Sequence, residues 1–93
     1  MKLPVNYDEL EPRDRRAVRE DYVRVQKGLC SHCGAPLRGE ASPQIMDKWI
    51  NRVLFPESFF DYPVHLHHSH ETGLTIGAVH AHCNAVLWQY HGE

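Results

Sequence analysis

The stretch VHLHHSHETGLTIGAVHAHCNAVLWQYH, residues 64–91, carries three patterns in succession. VHLH alternates apolar and polar residues, as a half-buried strand does. SHETG follows as a turn, and LTIGAV reads as a second strand with a glycine inside it. In HCNAVLWQYH, the residues Cys83, Val86, Leu87 and Tyr90 recur at helical spacing. Strand, turn, strand, helix is the predicted order, which makes the chain an α+β protein.

Working back toward the N-terminus, EPRDRRAVREDYVRVQKG reads as a basic amphipathic helix within residues 1–28. Pro12 suits its first turn and Gly28 its C-terminal cap. Val18, Tyr22, Val25 and Leu29 form one stripe. Its arginines alternate with Asp14, Glu20 and Asp21, so a solvated face and a DNA-facing one fit equally well. After CSHCG, the segment SPQIMDKWINRVLF predicts a central core helix. Ser42 would be its N-cap, Pro43 a first-turn residue, and Ile45, Met46, Trp49, Ile50, Val53 and Leu54 its apolar stripe. Pro56 ends it, and FPESFFDYP reads as an irregular connector.

Ninety-three residues make one domain with a modest core, a size at which metals or disulfides often add stability. Three cysteines cannot all pair with one another, which argues against a disulfide framework and for reduced, metal-binding thiols inside a cell. The start, MKLPVNYDEL, lacks the apolar run of a signal peptide, and no stretch is apolar enough to span a membrane. Charge is uneven. All ten lysines and arginines precede residue 53, and seven of the eight histidines follow residue 64. A net charge of −2 excludes a protein that holds a phosphate backbone by charge alone. Nucleic-acid contact would come from the N-terminal half or through a bound cation.

Two candidate sites emerge. Cys30 and Cys33 form C-x-x-C, and His80 and Cys83 repeat that spacing as H-x-x-C at the start of the last helix. A knuckle and a helix N-terminus can bring three sulfurs and one imidazole to a tetrahedral structural zinc. Gly34 permits the knuckle's turn. His82 is an alternative fourth ligand, His32 reads as a surface residue, and a redox role for C-x-x-C is the competing assignment. Four further histidines stand at 65, 67, 68 and 70. Imidazoles packed this tightly are poor core filler, because each polar ring needs partners. If the last helix packs across the hairpin, Asn84 faces them while Cys83 faces the zinc. Such donors with open coordination positions suit a catalytic metal. A second structural metal and a solvent-exposed histidine turn are the plainer assignments. Trp88 and His91 share the Asn84 face of that helix, and His65 shares the His67 side of its strand.

C-x-x-C, then LHHSHETG, then a strand with a glycine, then H-x-x-C-N resembles the HNH (ββα-metal) nucleases, nearest to the phage endonuclease VII-like branch with its D-H-D-H-x-T-G segment. The similarity covers about residues 20–91, with the central helix as an insertion. It implies a zinc-stabilised treble-clef domain over residues 1–93, with knuckle, inserted helix and ββα-metal core in 29–93. It further implies hydrolysis of DNA phosphodiesters, nicking or cutting, by a cytoplasmic protein encoded by a bacterium or phage. On that resemblance His68 is the general base, His67 and Asn84 hold a catalytic divalent ion, and His70 lies near the scissile phosphate. Cys30, Cys33, His80 and Cys83 match the zinc positions. His67 replaces an acidic ligand, so Mn²⁺, Ni²⁺ or Zn²⁺ would compete with Mg²⁺. Ser69 replaces an aspartate, Ile76 an arginine, and His80 a cysteine. The other readings are a non-catalytic treble-clef module binding DNA or protein, and a redox or metal-storage protein. So small a surface leaves target choice to weak specificity or a recruiting protein partner.

Overall fold

A computed structural model describes residues 3–92. Helix α1 spans Pro12–Val25, helix α2 spans Pro43–Met46, and helix α3 spans Ala81–His91. Strands β1 (Val64–His68) and β2 (Thr75–His80) form an antiparallel two-stranded sheet. Single 3-10 turns cover Tyr7–Glu9 and Glu57–Phe60. The chain is therefore a small α+β unit in which α1 and α3 both pack on the hairpin. Val18, Val79, Cys83 and Val86 are its largest fully buried side chains among the described residues. Among the described residues, no helix is long and apolar enough to cross a membrane.

Helix α1 begins with Pro12 in its first turn, where a missing N–H costs nothing. Val18 and Tyr22 are buried as the stripe predicts, but Val25 and Leu29 are 67% and 45% exposed. The helix stops at Val25, and Lys27 and Gly28 take left-handed φ of 57° and 76°. Gln26 then does what the end of the stripe does not. Its Nε2 donates to the carbonyls of Leu29 (2.7 Å) and Ala78 (2.9 Å), and its Oε1 accepts from the Ala78 N–H (2.8 Å). One amide side chain thus pairs with β2 as a neighbouring strand would. Gly77 gives it room, because a Cβ there would lie 2.7 Å from Ser31 Oγ and 2.9 Å from Gln26 Oε1.

The central helix is corrected to a single turn. Only Pro43–Met46 is helical, and Trp49, Val53 and Leu54 are 69%, 89% and 65% exposed. Competing hydrogen bonds explain the stop. Asn51 Oδ1 accepts from the Val53 and Leu54 N–H groups, and the Asn51 N–H donates to Gln89 Oε1 on α3. The Trp49 carbonyl is taken by Gln89 Nε2 and the Tyr90 hydroxyl. Backbone groups that would have continued the helix are bound to α3 or capped locally. Only Ile45 and Ile50 of the expected stripe are buried, with Met46 packed at the edge.

Residues ahead of α1 take part in the hairpin. The Thr75 N–H donates to the Val5 carbonyl (2.9 Å) and the Tyr7 N–H to the Gly73 carbonyl (2.8 Å). Thr75 Oγ1 accepts from the Val5 N–H and shares a 2.8 Å hydrogen bond with the Tyr22 hydroxyl. Within the hairpin the register slips between His67, opposite Gly77, and His68, opposite Thr75. Ile76 is the extra residue and lies exposed. The extra residue belongs to β2, and in β1 the successive residues His65, Leu66, His67 and His68 all line one cleft.

Candidate metal centre and histidine cleft

The knuckle and the start of α3 meet in a cluster of four donors. Cys30, Cys33, His80 and Cys83 offer ligand atoms that all lie within 4.8 Å of one another. Cys30 Sγ is 3.7 Å from Cys83 Sγ, and His80 Nδ1 is 3.5 Å from Cys33 Sγ and 3.7 Å from Cys83 Sγ. A tetrahedron with metal–sulfur bonds of ~2.3 Å has edges near ~3.8 Å, so the donor set fits a zinc ion in size as well as chemistry. His80 Nε2 is 2.9 Å from the Pro36 carbonyl, the outer hydrogen bond that leaves Nδ1 free to coordinate. His80, not His82, is the imidazole of the donor cluster, and the His82 ring instead lies 4.6 Å from that of Phe60. His32 is exposed.

Crowding these sulfurs splits their acidities. The hydrogen bond with Cys83 is the main cause holding the Cys30 thiol far below its ordinary range, at about 3. The same contact, reinforced by burial, pushes the Cys83 thiol up. Neighbouring thiols that cannot all ionise together are what a divalent cation relieves, because coordination deprotonates each ligand. The donors fit structural zinc and close around it, with Cys30, His80 and Cys83 each buried.

The other histidines sit across the hairpin in an open cleft of about 400 Å³. Its lining brings together His65, His67, His68 and His70 with Asn84 and Trp88 of α3, Tyr7, and Arg15 and Arg19 of α1. Among the described residues no carboxylate lines it, although the charge of Asp8 is felt at His68. His67 is only 5% exposed. Asn84 donates through Nδ2 toward His65 Nδ1 at 3.1 Å, while its buried Oδ1 has no hydrogen-bond partner. An orphaned buried carbonyl oxygen is costly and demands an explanation. A cation in the cleft would provide one.

Rings stack through this cleft in sequence. The Arg15 guanidinium lies 4.4 Å over the Tyr7 ring, and Tyr7 stacks on His68 at 3.7 Å with planes 3° apart. His68 lies 4.5 Å from His70, which meets Trp88 at 3.9 Å. Burial, then the neighbouring His70, lowers the His68 pKa. Burial likewise lowers that of His65, whose ring also meets Phe59 edge-on. Trp88 therefore belongs to the cleft wall, whereas His91 is exposed and outside it. Sequence reasoning passed over Tyr7, Arg15 and Phe59 as site residues. Tyr7 reaches His68 across 61 residues and Arg15 follows by resting on Tyr7, while Phe59 meets His65 from a connector with no regular pattern.

No protein-family model, curated protein or solved structure matches the chain.

Proposed function

We propose that this protein is a metal-dependent DNA endonuclease of the HNH type, with structural zinc in a treble-clef framework and a catalytic divalent ion beside His68. The observation that carries the reading is the buried, unpartnered Asn84 Oδ1 in the same cleft as His67, His68 and His70. Asn84 and His67 are the residues that would hold the ion, with His65 fixing the Asn84 amide so that its oxygen rather than its nitrogen is presented. When bound, a divalent ion there supplies positive charge to the oxygens of a phosphodiester.

His68 supplies the base. Its ordinary pKa of about 6.5 leaves a neutral imidazole near pH 7, able to take a proton from water as that water's oxygen attacks phosphorus. One phosphorus–oxygen ester bond breaks, and the leaving alkoxide takes a proton from solvent. Tyr7, stacked parallel on His68, holds the ring plane while the attack occurs. With no carboxylate lining the cleft among the described residues, its donors are neutral and the substrate phosphate is itself the anion the ion needs. Softer ions such as Mn²⁺, Ni²⁺ or Zn²⁺ suit these donors as well as Mg²⁺ does.

Nicking of supercoiled plasmid by the purified protein, with each of these four ions in turn, tests the reading. His68→Ala is expected to lower the rate roughly 100-fold or more while zinc content and fold persist. No nicking with any ion, on plasmid or branched DNA, by a protein holding one tight zinc would instead favour a non-catalytic treble-clef module.

A further inference from the structure

The arginines of α1 divide into two sets. On the outer surface Arg13 pairs with Glu11, Arg16 with Glu20 and Arg24 with Asp21. Among the described residues, Arg15 and Arg19 form no ion pair and are the only lysines or arginines that line the histidine cleft. Arg15 Nε is buried without a hydrogen-bond partner, and the guanidinium is seated on Tyr7, the ring that stacks on His68. Arg19 lines the same cleft, one helical turn on from Arg15, with His65 and Asn84. A guanidinium is always charged, and leaving a donor buried and unmatched is costly. Arg15 with its unmatched donor, and Arg19 beside it, are the cations of a cleft that no carboxylate lines among the described residues, and together they form a waiting anion site.

We infer that Arg15 and Arg19 are the subsite that receives the phosphodiester backbone of a nucleic acid, placing its phosphate against the histidine cluster. The inference rests on the nuclease reading for its choice of polymer. Planar donors suit non-bridging phosphate oxygens, which accept two parallel hydrogen bonds from one guanidinium. The subsite also accounts for a nucleic-acid enzyme with a net charge of −2, because its useful cations are gathered at one opening. Being on α1, these arginines act as binding and positioning groups and take no proton in the reaction.

The test uses the zinc-loaded 93-residue chain, a duplex oligonucleotide followed by fluorescence anisotropy across a salt series, and inorganic phosphate as a second probe. Arg15→Gln and Arg19→Gln are each expected to weaken oligonucleotide binding about tenfold. Each should also reduce the slope of log affinity against log salt by roughly 0.9. Arg13→Gln and Arg16→Gln should change affinity less than about twofold, as expected of surface ion pairs. Arg15→Lys and Arg19→Lys should restore part of the affinity. Independently of any variant, Nε–H resonances of Arg15 and Arg19 in the native chain should shift on adding the oligonucleotide. Shifts with inorganic phosphate but none with oligonucleotide would make this a small-anion site and overturn the inference. Equal losses from all four Gln variants, or no oligonucleotide binding by the native chain, would overturn it as well. A chain that binds through Arg15 and Arg19 yet never nicks DNA sinks the nuclease and keeps the subsite. One that nicks with unchanged affinity and KM in the two cleft variants does the reverse.

Discussion

The two donor sets of this molecule are built from neighbouring residues and behave as opposites. In the cysteine cluster, four ligand atoms fall within 4.8 Å, and each has another donor of the set beside it. In the cleft, the donors come from separate elements, rest on aromatic rings, and leave one amide oxygen unsatisfied. His80 and Cys83 serve the first, and Asn84, the next residue, serves the second. The difference teaches how adjacent residues of a small chain can be divided between a closed donor set and an open one. A set whose valences close on one ion stabilises a fold, whereas a set with an unmet acceptor keeps capacity for something that arrives later.

The largest way to break that contrast is Cys83→Ser. Structural zinc contributes roughly 10–16 kcal/mol in small zinc domains, as much as or more than the ~5–15 kcal/mol total stability of a typical protein. The variant is expected to lose zinc and its cooperative melt together, read by metal analysis and far-UV circular dichroism. A zinc-free variant that still melted cooperatively would show that the cluster is dispensable. A smaller effect is expected at the open site. On the nuclease reading, His65→Ala removes the partner that orients Asn84 and weakens Mn²⁺ binding in the cleft about 10–100-fold, with zinc retained. Calorimetric titration of the zinc-loaded protein measures it, and unchanged affinity would mean that Asn84 is aimed by something else. Gly77→Ala probes the joint between the two sites, since Gly77 faces His67 in the sheet and Ser31 of the knuckle. A loss of about 1–3 kcal/mol in urea unfolding is expected. Native-like stability would show that Ser31 and Gln26 yield freely.

Much of this was legible in the residues. Pro12 marked the start of α1, the alternation in VHLH gave β1, and the paired two-residue spacings of Cys30, Cys33, His80 and Cys83 gave the cluster. Asn84 beside the histidines followed from a helix crossing the hairpin. The central segment misled because its apolar residues fit a helical stripe while Trp49, Val53 and Leu54 face outward. Side-chain capping by Asn51 and the claim of Gln89 on nearby backbone groups are long-range or conformational facts with no periodicity. The same holds for Gln26, whose hydrogen bonds to Ala78 join residues 52 apart. The bulge that leaves Ile76 of β2 without a partner between His67 and His68 is likewise a matter of pairing, and no count along β1 alone reveals it.

The start of α3 has one more consequence. His80 stands at its N-cap and supplies no side-chain hydrogen bond to the helix, so the first turn has no conventional cap. What pins that turn is the grip of His80 and Cys83 on the knuckle, and Asn84 lies within it. The cluster and the cleft are thus joined through one helical turn. On the nuclease reading, whatever holds His80 and Cys83 on the knuckle also holds Asn84 over the histidines, so the two sites stand or fall together.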